Sequence, residues 1–145
     1  LIKQVLVDQF TADWNAKLQA SNKGKLYYLF KQEHKLEEYL TILPRKFYLP
    51  LLKFRTSNHR LPIELLRYNN TPHNERICTE CQSLGDEYHA IMSCKLFINK
   101  RKQLIPEYYY KNPNVIKYNQ LLNTKHFETL KKLSLFVSYV MKYYN

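Results

Sequence analysis

A small, mainly α-helical domain with an embedded structural metal site is the fold class that this sequence predicts, on three observations. Only two glycines, Gly24 and Gly85, occur in 145 residues, too few for the tight turns of an all-β protein. Apolar residues recur at spacings of three and four in several segments. All three cysteines fall between Cys78 and Cys94, together with one of the five histidines. With 45% hydrophobic residues, the chain has ample material for one core. We expect a single domain over residues 1–145: N-terminal helices in 1–50, a metal-binding segment in 51–104 and a C-terminal helix in 105–145.

From the N-terminus, Ile2, Val5, Leu6, Phe10, Trp14 and Leu18 paint one side of a first amphipathic helix, which the polar run at 20–25 with Gly24 ends. A second helix is expected over 25–43, with Leu26, Phe30, Leu36, Tyr39 and Leu43 inside. Pro44 ends it or opens a third, in which Phe47, Leu51, Leu52 and Phe54 face inward, Lys46, Lys53 and Arg55 face outward, and Pro50 makes a kink. A short helix fits 63–68. Another leaves Cys94 and stops at Pro106, and the tyrosine-rich stretch after it reads as loop. Thr124 is placed to cap a last helix that runs to Tyr144.

Lysine and arginine number 23 against 12 acids, a net charge of +11, so the average surface attracts polyanions. Only Asp8, Asp13 and Asp86 are aspartates, which excludes the carboxylate cluster of a two-metal polymerase or nuclease, and the chain is not expected to be an enzyme. Apolar runs are short, so no membrane span or signal peptide is expected. Leu1 in place of a methionine suggests a soluble piece of a longer intracellular protein, nuclear or cytoplasmic.

Cys78, Cys81, His89 and Cys94 read as C-x2-C-x7-H-x4-C. A two-residue gap lets one turn aim two thiolates at one ion, and the His-x4-Cys pair completes the four ligands of a closed, structural Zn²⁺ site. A Cys78–Cys81 disulfide or redox pair, and plain buried cysteines, are the competing readings, and His73 is the one rival ligand. Asp86 and Glu87 are placed to cap the helix that bears His89, or to hold its second ring nitrogen.

Around this cluster the sequence resembles the zinc-binding C-terminal region of non-LTR, LINE-type retrotransposon polyproteins, jockey-like elements especially. "LLKFRTSNHRLPIELLRY" is similar to the segment Leu-x-Arg-Thr-Gly-His-x-x-Leu in its residues Phe54, Arg55, Thr56, His59 and Leu61, though not in their exact spacing, with Asn58 where glycine is common. "RICTEC" and "DEYHAIMSC" resemble the Cys-x-x-Cys and His-x4-Cys pairs of those polyproteins, and "KLFINKRKQL" their basic helix, so the likeness covers residues 51–104. The resemblance implies a zinc-stabilised accessory domain of a reverse transcriptase that engages RNA or target DNA. Its partners would be nucleic acid and the rest of its own polyprotein, with no small-molecule substrate. Tyr88 stands where a retroviral zinc knuckle has glycine, and a Tyr-x-Asp-Asp polymerase motif is absent.

On that reading the phosphate contacts are sought among Arg45, Lys46, Lys53, Arg55, Arg60, Arg67, Arg76, Lys95, Lys100, Arg101 and Lys102, which bracket the metal ligands. Arg55 and Arg67 sit among apolar neighbours, where pairing with a buried carboxylate or carbonyl is the competing role. Tyr108, Tyr109 and Tyr110 are placed either to stack on bases or to pack. A zinc-braced protein-interaction module with incidental charge is the alternative function.

Overall fold

The structure is a computed structural model that describes residues 1–31 and 33–145. Among the described residues, ten α-helices and two 3₁₀ turns make up the regular structure: α1 (Ile2–Ala20), α2 (Tyr27–Phe30), α3 (Tyr39–Ile42), α4 (Arg45–Arg55), α5 (Pro62–Tyr68), α6 (Glu87–Met92), α7 (Ile98–Leu104), α8 (Glu107–Tyr110), α9 (Val115–Leu122) and α10 (Phe127–Tyr143). The predicted mainly α-helical class is what forms. No strand forms among the described residues, whose one β-like feature is an isolated antiparallel bridge between Ile77 and Leu84.

The centre of the fold is the packing of α4 on α10. Leu51 and Phe54 from α4 meet the Leu130, Leu133, Phe136, Val137 and Val140 face of α10, and all of these are buried. The Ser134 hydroxyl, itself buried, donates to the Phe47 carbonyl at 2.6 Å and fixes the two helices at one height. Pro50 sits inside α4 without ending it; because proline has no N–H, the Lys46 carbonyl loses its helical partner there. α4 crosses residue 50, where the first segment was expected to end.

Several expected elements form differently. The helix expected over 25–43 forms only as the single turns α2 and α3, and Gln32 within that span lies outside the described residues. The break has a tertiary cause: Phe30 and Tyr39 turn inward so that their rings flank the Arg55 guanidinium at 4.4 and 4.8 Å. The stretch read as loop after Pro106 contains α8 and α9, and Asn114 caps α9 by accepting from the Lys117 N–H at 2.8 Å. α10 starts three residues later than expected. His126, not Thr124, caps it, with its ring nitrogen accepting from the Thr129 N–H at 3.3 Å.

α1 forms where its periodicity placed it, but none of its residues is buried. Its apolar side touches the body through the Phe10 and Trp14 rings, which meet His34 edge-on at 4.7 and 5.3 Å. No helix among the described residues is long and apolar enough to cross a membrane.

Candidate metal centre

The segment from Arg76 to Gly85 folds back on itself because Cys78 N–H donates to the Ser83 carbonyl (2.8 Å) and Gly85 N–H to the Arg76 carbonyl (2.9 Å). Gln82, at φ 58°, makes the reversal between them. Cys78 and Cys81 thereby sit on one tight turn. Gly85 is needed at the end of the hairpin for space: a Cβ there would lie 2.7 Å from the Pro62 ring, which is the start of α5. Through this approach the hairpin docks on α5, and Ile63 N–H donates to the Gly85 carbonyl at 3.1 Å.

α6 carries the third ligand. Asp86 caps it, accepting from the His89 N–H at 2.8 Å, as the sequence placed it to do. Cys94 comes just after α6, its N–H donating to the His89 carbonyl at 2.8 Å. The four side chains converge: their ligand atoms all lie within 4.8 Å of one another, a group able to hold a metal ion.

The donor geometry fits an ion. The Cys94 sulfur lies 3.9 Å from that of Cys78 and 4.0 Å from that of Cys81, and none of the three cysteines is disulfide-bonded. A tetrahedron with metal–sulfur bonds of about 2.3 Å has edges of about 3.8 Å. The His89 ring supplies the independent test. Its Nδ1 faces the hydroxyls of Ser93 (3.2 Å) and Ser83 (3.4 Å), while its Nε2 is buried with no hydrogen-bond partner. A buried, orphaned ring nitrogen is costly unless it has a ligand. Rival His73 stands exposed on a 3₁₀ turn and takes no part in the group.

Electrostatics around the cluster suit bound thiolates. Burial pushes the Cys94 thiol up to about 12 without an ion, so a cation is what would ionise it. Burial also opposes ionisation of Cys78, but the amide N–H groups of Cys81 and Glu80 outweigh it and hold that thiol below its ordinary value. Cys81 accepts from the Lys95 N–H at 3.3 Å. Burial, with the Arg101 charge, lowers the pKa of His89 and keeps its imidazole neutral, the form that binds metal. Just past α10, burial, with the nearby Cys78 and Cys94 sulfurs, holds the Tyr144 hydroxyl well above its ordinary pKa.

Three basic side chains sought as phosphate contacts are instead parts of this scaffold. Arg101 is buried, and its guanidinium donates to the carbonyls of Ile91 (2.6 Å), Cys94 (2.9 Å) and Ala90 (3.0 Å), tying α7 to the stretch between the third and fourth ligands and to the fourth ligand itself. Arg55, expected to face outward from α4, is buried as well: it pairs with the Glu37 carboxylate at 2.8 Å and donates to the Leu122 carbonyl at 2.6 Å. Arg76 is half-buried and donates to the carbonyls of Thr71 (2.9 Å) and Ile63 (3.2 Å). These carbonyls occupy donors that a phosphate would need. Arg67 is paired with Glu64 at 3.0 Å.

Arg45, Lys46, Lys53, Arg60, Lys95 and Lys102 are exposed, and Lys100 is half-buried over the Tyr139 ring at 5.2 Å; none of the seven has an ion-pair partner among the described residues. Of the tyrosines after Pro106, Tyr109 and Tyr110 pack against the core and Tyr108 is exposed.

The sequence missed the role of Glu87, which is buried on α6. Its Oε1 receives the Ser57 hydroxyl at 2.8 Å and lies 2.7 Å from His59 Nε2, so it binds α6 to the turn after α4. Ser57 itself adopts φ 59°. No local spacing links His59 to Glu87, 28 positions later, so only the packing brings the pair together. No family model, no curated protein and no solved structure matches this chain.

Proposed function

We propose that this chain is a zinc-braced, nucleic-acid-binding accessory domain of the kind that accompanies a retrotransposon-type reverse transcriptase. Zinc is the reading favoured by three thiolates and one imidazole at tetrahedral spacing, a closed shell with no place for a reactive water. The ion would hold the hairpin, α6 and the start of α7 together; it would supply shape, not chemistry.

The observation that carries the nucleic-acid reading is the division of the cations. Arg55 and Arg101 are consumed inside the fold, yet Arg45, Lys46, Lys53, Arg60, Lys95, Lys100 and Lys102 remain without carboxylate partners among the described residues. With a net charge of +11, that surplus is matched by a polyanion. The resemblance over residues 51–104 supports the retroelement assignment, and RNA or target DNA is the expected partner.

Two measurements test the reading. Elemental analysis of the purified protein should return one zinc per chain. Binding to random oligonucleotides should weaken with salt at a log–log slope of about −0.7 per phosphate on single strands and −0.9 on duplex DNA. Affinity that is flat in salt would reject the nucleic-acid role and favour a protein interface.

A further inference from the structure

We infer that the groove between α4 and α10 is where unpaired nucleotides bind, and that the domain therefore prefers single strands to duplex. This rests on the nucleic-acid reading above and adds to it a site and a strandedness. The groove has a volume of about 620 Å³. Leu49 and Pro50 from α4 and Met141 from α10 give it an apolar floor, and four cations, Arg45, Lys46, Lys53 and Lys142, stand around it. No aspartate or glutamate side chain lines it among the described residues.

The two halves of that surface ask for different things. Cations two turns apart on α4, Arg45 and Lys53, span about 12 Å along the helix, a track for successive phosphates. The positive field continues past the groove, since Lys46 at 5.0 Å and Lys131 at 5.5 Å both stand over the Phe47 ring. A long, evenly charged polyanion gains from every cation of that track. An apolar floor is reached only by bases that have left the stack, because a duplex presents phosphates outward and hides its base faces; flipped or single-stranded bases do pack on apolar side chains. An acidic amphipathic peptide would match the groove itself but would leave the cations beyond it unused.

The test uses the full chain, metal-loaded. Fluorescence anisotropy compares oligouridylate and oligothymidylate of about 12 nucleotides with a duplex of the same length. We expect single strands to bind at least tenfold more tightly. Leu49→Ser with Met141→Ser should cut single-strand affinity about tenfold and change duplex affinity less than twofold. Lys53→Gln with Lys142→Gln, both exposed positions, should reduce the single-strand salt slope by about 1.4.

Equal binding of single strands and duplex, unmoved by either pair of variants, overturns the groove and leaves the nucleic-acid reading standing. Failure of every oligonucleotide to bind overturns both. An acidic amphipathic peptide of leucine and glutamate that binds in a Lys53- and Lys142-dependent way, where oligonucleotides do not, would make the groove a peptide site and end the proposal.

Discussion

Replacing Arg101 by methionine tests the claim that this arginine is an internal brace. The side chain is buried, and its three donors reach the carbonyls of Ile91, Ala90 and Cys94 at 2.6 to 3.0 Å. Methionine fills similar space but leaves three carbonyls without those partners, each worth about 1–3 kcal/mol when buried and unsatisfied. The desolvated guanidinium, whose pKa burial already lowers, returns part of that cost, so a net loss of about 3–5 kcal/mol is expected. Urea unfolding of the metal-loaded protein, monitored by far-ultraviolet circular dichroism, measures it directly. The salt slope of oligonucleotide binding should stay unchanged wherever the variant is still folded. A stability change under about 1 kcal/mol, or a slope reduced by one phosphate equivalent, would refute the brace and restore Arg101 as a contact.

Three other outcomes are expected from the same structure. Cys81→Ser, or chelation of the wild-type chain, should unfold or greatly loosen the hairpin and α6, since a structural ion supplies on the order of 10 kcal/mol to a small site; an unchanged melting curve would count against the metal. Gly85→Ala should cost about 1–3 kcal/mol because its methyl group meets the rigid Pro62 ring at 2.7 and 2.8 Å, and adding Pro62→Ala should recover part of the loss in a double-mutant cycle. Tyr144→Phe should weaken metal binding about tenfold in a chelator competition while leaving the helical content intact.

What the sequence carried by itself was whatever depends on spacing along the chain. Helical periodicity placed α1, α4 and α10, and the interval from Cys78 through Cys81 and His89 to Cys94 identified the four side chains that meet. A turn, one helix and the residue just beyond it bring those ligands together locally, so their convergence needs little from the rest of the fold. Asp86 was legible for the same reason, because a cap acts three residues away.

Tertiary structure decided what each remaining polar residue does. Arg55 and Lys53 are two residues apart on α4 and carry the same charge, yet one is buried against Leu122, 67 positions later, and the other is exposed. The same partnership, with Phe30, Glu37 and Tyr39 gathered around one guanidinium, splits the helix expected over 25–43. Residue type fixes a charge, but its availability depends on which distant carbonyls and carboxylates the packing brings to it, and no local pattern encodes those.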